Sequence, residues 1–275
     1  MRIAALTALV MLAFAANSLL NRAAVGSGAI TPMAFALVRV IAGALMLALL
    51  ARARPGRCNL IPALWLSLYL VGFSLAYLAL DAGVGALILF AGVQATMLAG
   101  AMIRGETVPP HRLVGGGAAM AGLAALLWPG TGAVPALAPA LWMAAAALGW
   151  GLYSLAGRGA AAPLRATAAN FALAVPMVAL AALPFGLEGT VRGIALAVLA
   201  GGVTSGLGYA LWYAVMPGLG AARAAVVQLT VPVIAVAGGA LVLGETPSLG
   251  AALAGGAVLA GVALAVWPAP VRAGS

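Results

Sequence analysis

The chain has 275 residues, of which 65% are hydrophobic and only 6% are charged, and its mean hydropathy is +1.19. Because a soluble domain has about 25% charged residues, this composition excludes an ordinary soluble protein and predicts one embedded in lipid. The net charge is +9, and all 13 basic residues are Arg. These Arg residues fall between long apolar runs, which indicates membrane topology and not nucleic-acid binding.

The apolar run after Arg2 raises the question of a signal peptide, since "AFAA" at 13–16 is typical of a cleavage region. The run continues to Leu20, and many similar segments follow it. We therefore favour an uncleaved first transmembrane helix over a cleaved signal.

Charged residues, Gly and Pro divide the chain into apolar segments, each long enough to form a helix of about 20 residues across the hydrocarbon. We expect an all-α polytopic membrane protein with ten transmembrane helices. The predicted spans are 3–22, 32–51, 60–80, 83–103, 112–129, 136–157, 165–186, 193–215, 219–243 and 248–268.

The distribution of Arg over alternate loops predicts the orientation of these helices. If the N-terminus is cytoplasmic, ten Arg residues lie on the cytoplasmic side and two, Arg22 and Arg192, lie on the other. Since positive charge is retained inside, we expect both termini in the cytoplasm and an even number of spans, in the inner (plasma) membrane. Arg39 is left within a span.

The tripeptide Gly-Glu-Thr occurs at 105–107 and again at 244–246, and each Glu precedes a Trp-Pro pair by 22 residues. Other matches lie at a similar offset, among them Arg22 with Arg158, 136 residues apart. The pattern predicts two five-helix repeats, over 1–131 and 132–275. Because five is odd, the second repeat must enter the membrane from the opposite side, which is typical of transporters with a central site.

The Gly-Glu-Thr segment itself is interpreted as a turn between helices and not as a catalytic motif. Glu at the start of a helix interacts favourably with the helix dipole. Thr246 followed by Pro247 is typical of an N-cap with Pro at the first helical position.

The ten spans, the repeat, "FALVRVIAGALML" with Phe35 and Arg39 in the second span, and "LGET" before the tenth span resemble the drug/metabolite transporter superfamily, EamA type. Within it the sequence is most similar to YddG-like exporters of aromatic and other amino acids. The resemblance implies export of small metabolites from the cytoplasm. One departure is that Val175 stands in the second half where Arg39 stands in the first.

Polar and aromatic side chains inside the spans are the candidates for a substrate cavity, because polar groups in hydrocarbon are costly. Arg39 contacts either the substrate or only the helix bundle. Tyr and Trp can instead anchor at the membrane interface, and amides can join helices. The candidates are Asn17, Arg39, Tyr77, Gln94, Trp150, Tyr153, Ser205, Tyr209 and Trp212, with Pro176 and Pro232 as kinks.

We expect an alternating-access exporter of amino acids, aromatic and other neutral, with broad specificity. No Asp or Glu lies well inside a span, so we expect facilitative efflux without obligatory proton coupling. An exporter of lipophilic cations is the alternative. The sequence lacks a nucleophile with a base or a metal-ligand cluster, so no enzyme, cofactor or metal is expected. The expected partners are a small-molecule substrate and lipid, and the oligomeric state is left open.

Overall fold

The computed structural model describes residues 2–52, 59–126, 137–158, 160–219 and 227–266. These residues form ten helices, joined only by turns, loops and one isolated β-bridge between Ile30 and Gly189. The helices are α1 (Arg2–Val25), α2 (Pro32–Leu50), α3 (Leu60–Ala76), α4 (Ala82–Ile103), α5 (Pro110–Leu126), α6 (Leu137–Ala156), α7 (Pro163–Ala182), α8 (Val191–Leu219), α9 (Thr230–Leu243) and α10 (Leu249–Val266).

Six of the described helices, α1, α2, α4, α6, α7 and α8, are long and apolar enough to cross a membrane. Large apolar side chains cover much of the outer surface; Leu45, Leu49 and Leu253 are each more than two-thirds exposed. In water such a surface would be unfavourable, whereas in lipid it is the expected outer surface. The prediction of an all-α polytopic membrane protein is confirmed.

The helix limits differ from the predicted spans where turn chemistry was misjudged. α3 ends at Ala76, because the chain turns through Tyr77 to Leu80 before Asp81 precedes α4. α8 continues through Pro217 to Leu219, since a proline in the last turn does not end it. The predicted Trp-Pro pairs at 128–129 and 267–268 lie outside the described residues.

The two Gly-Glu-Thr segments form similar turns. Gly105 has φ +71° and Gly244 has φ +68°, a left-handed conformation that ends helices and that only glycine adopts without strain. The N–H of Glu106 donates to the carbonyl of Ala101, and that of Glu245 donates to the carbonyl of Gly239. These backbone requirements explain the glycine of the repeated tripeptide.

Two sequence-based details of these turns are wrong. The side chain of Ser248, not Thr246, accepts a hydrogen bond from the N–H of Ala251 at the start of α10. The carboxylate of Glu245 also does not interact with the N-terminus of α10, the helix that follows it. This carboxylate accepts from the N–H of Ala82 at 2.9 Å, at the N-terminus of α4, where a negative charge is also favoured by the helix dipole.

The two prolines predicted as kinks lie at different places in their helices. Pro232 is the third residue of α9, where a proline is tolerated because the first N–H groups of a helix have no partner within it. Pro176 lies inside α7, which continues unbroken around it. α8 contains a π-helical segment, Leu199–Leu207, that the sequence analysis did not predict; such segments are frequent at functional sites.

The packing of the helices brings the two halves of the chain together. α5 packs against α10, α3 against α6, and α2 against both α7 and α8. α1 contacts α8 and α9 in the same way that α6 contacts α3 and α4. The largest buried cluster therefore lies between the halves and surrounds the site described next.

Candidate functional site

A small cavity lies at the centre of the bundle, between helices of both halves. Its volume is about 40 Å³, enough for a few water molecules, since one water needs roughly 10–15 Å³. Pockets that bind small ligands measure about 300–1,000 Å³, so the cavity is too small for such a ligand in this conformation. The lining residues are Phe14, Asn17, Ser18, Tyr69, Phe73, Leu89, Phe90, Trp150, Tyr209 and Gln228.

Aromatic rings form most of the cavity wall. The ring of Trp150 stacks on that of Tyr209, with centroids 5.4 Å apart and an interplanar angle of 18°, and contacts the ring of Tyr69 at 4.9 Å. Phe14 packs against Tyr209 at 5.8 Å, and Phe73 against Tyr69 at 5.3 Å. Such a wall can hold an apolar side chain or the face of another ring.

A polar cluster lies at one side of this wall. The amide oxygen of Asn17 accepts from the hydroxyl of Thr204 at 3.0 Å, and its nitrogen donates to the hydroxyl of Ser205 at 3.5 Å. Ser205 also accepts from Nε of Arg39 at 3.3 Å. Thr204 and Ser205 both belong to the π-helical segment of α8, whose wider turn sets the position of these hydroxyl groups next to α1 and α2.

Arg39 is fully buried next to the cavity. Its Nη2 donates to the hydroxyl of Tyr69 at 2.9 Å, and its guanidinium carbon lies 4.9 Å from the ring centroid of Phe73. Its Nη1 has no hydrogen-bond partner among the residues that the structure describes. All four acidic side chains of the sequence are described, and none forms an ion pair with Arg39. The polar cluster therefore holds an unneutralised positive charge.

The structure brings together only part of the predicted set. Asn17, Trp150 and Tyr209 line the cavity. Ser205 and Arg39 lie directly behind the lining residues and hydrogen-bond to them.

The other predicted residues lie further from the cavity. The hydroxyl of Tyr153 donates to Thr167, and that of Tyr77 donates to the carbonyl of Ala82. Trp212 packs its ring edge against Phe14 in a neighbouring cluster. Gln94 is half-buried on α4 and is not among the lining residues.

Sequence reasoning missed Tyr69, Phe73 and Phe90 as lining residues. The signal was the spacing of Tyr69, Phe73 and Tyr77, which places three aromatic rings on one face of a helix. In the structure these rings contact in series, Tyr69 with Phe73 and Phe73 with Tyr77 at 4.8 Å.

A second cavity, of about 350 Å³, lies between α4, α9 and α10. Its wall is almost entirely apolar, and its charged groups are Asp81 and Glu245, both of which form ion pairs with Arg22. The smaller central cavity carries the more varied polar chemistry and is the better candidate site.

Ion pairs lie at the two ends of α4. At one end, Nε of Arg22 lies 3.1 Å from Glu245, and its Nη2 lies 3.5 Å from Asp81. At the other end, Arg158 lies 3.7 Å from Glu106. Burial raises the pKa of the Glu245 carboxyl, and the nearby Asp81 adds to that effect; the N–H of Ala82 and the Arg22 guanidinium oppose it. Within the described residues, no three His, Cys, Asp or Glu side chains group in a way that would hold a metal ion.

Known proteins identify this architecture. Residues 137–267 match the model of the EamA-like transporter family. Along 98% of its length the chain is 47% identical to the uncharacterized protein PA1977 of Pseudomonas aeruginosa, 96% of which it covers. Residues 137–267 therefore form an EamA-like transporter domain. This match and the apolar helices show a multi-pass membrane protein with an EamA-like transporter domain, so the resemblance to EamA-type proteins is confirmed for that part of the chain.

A solved structure titled "Crystal structure of protein" is also similar to this EamA-like chain. The TM-score is 0.65 and the sequence identity 21%, with 95% of this chain and 98% of that chain covered. At this identity the match shows a shared fold.

Proposed function

We propose that this EamA-like transporter exports amino acids, aromatic and other neutral ones with broad specificity, by alternating access. The observation that carries the proposal is the central cavity, where aromatic rings adjoin an amide and hydroxyl cluster backed by Arg39. Apolar walls suit the side chain of an amino acid, and the polar cluster suits its backbone groups. An apolar wall discriminates weakly between side chains that differ by a methylene, which agrees with broad specificity.

In this proposal, alternating access depends on two inverted repeats, 1–131 and 132–275. The protein lies in the inner membrane, with both termini in the cytoplasm. The reciprocal packing supports this arrangement, since α1 meets α8 and α9 as α6 meets α3 and α4. In inverted-repeat transporters the site lies near the midplane between the repeats, and the cavity has lining residues from both halves.

We also propose facilitative efflux without obligatory coupling to protons. The lining residues include no carboxylate. Asp81, Glu106 and Glu245 lie at the ends of α4, and Glu188 precedes α8 in a loop. A proton-coupled carrier usually has an ionisable group in its pathway that binds and releases the proton.

An exporter of lipophilic cations is the second candidate. The rings of Trp150, Tyr209 and Tyr69 favour it, because a cation is attracted to an aromatic face. The buried charge of Arg39 opposes it, because the cluster holds no acidic side chain to offset repulsion between two cations in a medium of low dielectric constant.

Counterflow in proteoliposomes tests the proposal. Vesicles are loaded with unlabelled phenylalanine, threonine, methionine, choline or uridine monophosphate, and uptake of labelled phenylalanine is followed without an ion gradient. We expect the three amino acids to drive uptake and the other two compounds to leave it at the level of empty vesicles. Uptake driven only by choline would support the cation exporter, and absence of any exchange would contradict amino-acid export.

A further inference from the structure

Arg39 has more hydrogen-bonding capacity than its surroundings use. A guanidinium has five N–H donors, and two of them are engaged, by Ser205 and Tyr69. Both protons on Nη1 are buried, and the described part of the chain offers them no partner. A buried charge left unpaired is among the most costly groups in a protein, and in a transporter of small molecules an arriving substrate can supply the missing partner.

The position of Arg39 links it to the cavity. The guanidinium carbon lies 5.2 Å from the ring centroid of Tyr69 and 4.9 Å from that of Phe73, and both residues line the cavity. Asn17, another lining residue, shares the hydroxyl of Ser205 with Arg39. A rearrangement of Tyr69 and Phe73 would thus bring the cavity into contact with the guanidinium, and the volume of about 40 Å³ requires some such expansion before any substrate fits.

We propose that Arg39 is the anion subsite of the cavity and binds the carboxylate of the substrate, which restricts the substrate class to small monocarboxylates, zwitterionic amino acids included. The inference rests on the proposed function. A single guanidinium offers a fork that fits one carboxylate. The aromatic wall then receives the side chain, and Asn17 lies within reach of the remaining polar group.

Competition with wild-type protein tests the subsite directly. Counterflow of labelled phenylalanine is measured against 3-phenylpropionate, which keeps the carboxylate and lacks the amine, and against phenethylamine, which keeps the amine and lacks the carboxylate. We expect phenylpropionate to compete at least about tenfold more strongly, the effect of one charge-assisted hydrogen-bond pair. Equal competition, or stronger competition by phenethylamine, would overturn the subsite while leaving phenylalanine transport intact. Absence of phenylalanine counterflow would instead reject the proposed function.

Variants add a second readout. Arg39→Lys keeps the charge and should retain transport with a raised half-saturation concentration, whereas Arg39→Gln should lose the preference for phenylpropionate. Tyr69→Phe removes a neutral partner of Arg39 and should preserve that preference. If Arg39→Gln folds and still prefers phenylpropionate, the carboxylate is bound elsewhere and the proposal is wrong.

A separate observation concerns the ion pairs at the two ends of α4. Arg22 and Arg158 occupy equivalent positions in the first and second predicted repeats. Their partners, Glu245 and Glu106, belong to the two Gly-Glu-Thr turns. Each pair therefore joins the end of the first helix of one half to the turn of the other half. The 22 residues of α4 separate the pairs by about 33 Å, close to the thickness of the hydrocarbon.

The two pairs differ in strength. Arg22 and Glu245 are 23% and 12% exposed and 3.1 Å apart, whereas Arg158 and Glu106 are 41% and 49% exposed and 3.7 Å apart. Arg22 also donates to the carbonyls of Tyr77 and Leu78. Exposed ion pairs contribute little, and partly buried ones held by further hydrogen bonds contribute more.

We infer that the two pairs are equivalent latches at opposite ends of the transport pathway, and that they tighten in turn. In this conformation the Arg22–Glu245 latch is engaged and the Arg158–Glu106 latch is loose. The predicted topology places the engaged latch on the external side, so that the cavity would open next toward the cytoplasm.

Labelling of a cavity cysteine tests the latches. Ser18→Cys is introduced into a Cys58→Ser background, and an impermeant thiol reagent is added from either face of oriented vesicles. We expect Glu245→Gln to raise labelling from the external face at least threefold and to lower it from the cytoplasmic face. Arg22→Lys, which keeps the charge, should shift labelling in the same direction by less.

Glu188→Gln is the matched control, since Glu188 is exposed and forms no ion pair among the described residues. Glu106→Gln should change the ratio little or in the opposite direction, because its pair is already loose. The same ratio of external to cytoplasmic labelling in Glu245→Gln and Glu188→Gln would overturn the latch proposal.

Discussion

Gly201 in the π-helical segment of α8 lies where α8 crosses α2, directly behind Arg39. A Cβ added at Gly201 would overlap the backbone oxygen of Arg39 and come within 2.8 Å of the Cβ of Ala42. Carbon atoms normally pack at about 3.5–4.0 Å, so Gly201→Ala must push the two helices apart by roughly 1 Å. Gly202 offers a matched control, since a Cβ there would meet only the end of Met46, at 3.8 Å.

The loss of stability expected for Gly201→Ala follows from this geometry. Overpacking typically destabilises by about 1–3 kcal/mol, and the clash with backbone leaves no flexible side chain to relieve it. Gly202→Ala avoids the clash and gains up to about 1 kcal/mol in helix propensity. At roughly 2–4 °C per kcal/mol for a chain of 150–250 residues, we expect the midpoint of thermal unfolding of Gly201→Ala to lie at least about 2 °C below that of Gly202→Ala.

Thermal unfolding of the purified protein in detergent, followed by circular dichroism, measures this difference, and counterflow measures its functional effect. A displacement of about 1 Å would lengthen the 3.3 Å hydrogen bond between Arg39 and Ser205 beyond bonding distance. Gly201→Ala should therefore also transport more slowly than Gly202→Ala. Equal midpoints and equal transport in the two variants would refute the close packing of α2 on α8.

Three further predictions concern single side chains. Trp150→Ala removes three ring contacts of about 0.5–1.5 kcal/mol each, to Tyr69, Tyr153 and Tyr209. It should raise the half-saturation concentration for phenylalanine about tenfold in counterflow, and raise that for threonine by less. Tyr213→Phe removes the 2.7 Å hydrogen bond with Thr167; it should lower the free energy of unfolding by about 0.5–1.5 kcal/mol, measured by denaturation, and leave transport intact. Burial raises the pKa of Glu245, so on acidification the folded chain binds this proton before the unfolded chain does. The free energy of unfolding of the wild type should therefore increase as the pH falls from the raised pKa of Glu245 toward the usual carboxyl pKa of about 4.3. Denaturation of Glu245→Gln over the same pH range should not show this increase.

The sequence predicted the helices well and the site only in part. Apolar length and turn residues locate helices because a bilayer requires about 20 apolar residues for each crossing. Tyr77 and Trp212 are not among the residues that line the central cavity. Their depth in the membrane was predictable from the sequence, whereas the direction of each side chain depends on how α3 and α8 rotate against their neighbours. That rotation is set by packing between distant segments.

The partners of Glu245 show the same limit. The sequence predicted that Glu245 lies at the N-terminus of the helix that follows it. In the structure its carboxylate lies at the N-terminus of α4, which ends more than 140 residues earlier in the chain. The π-helical segment of α8 was likewise not predictable, because it has no sequence signal apart from small residues, which close helix packing explains equally well. It nonetheless sets the positions of Thr204 and Ser205 beside Asn17.

The measurement that tests the account most directly is the accessibility of the cavity from both faces of the membrane. Ser18→Cys in the Cys58→Ser background is labelled with an impermeant thiol reagent, from each side, with and without phenylalanine. We expect labelling from both sides and protection by phenylalanine on both, because the central cavity alternates between the two faces and binds the substrate. Labelling from one side alone, or labelling that phenylalanine does not reduce, would contradict transport through this cavity.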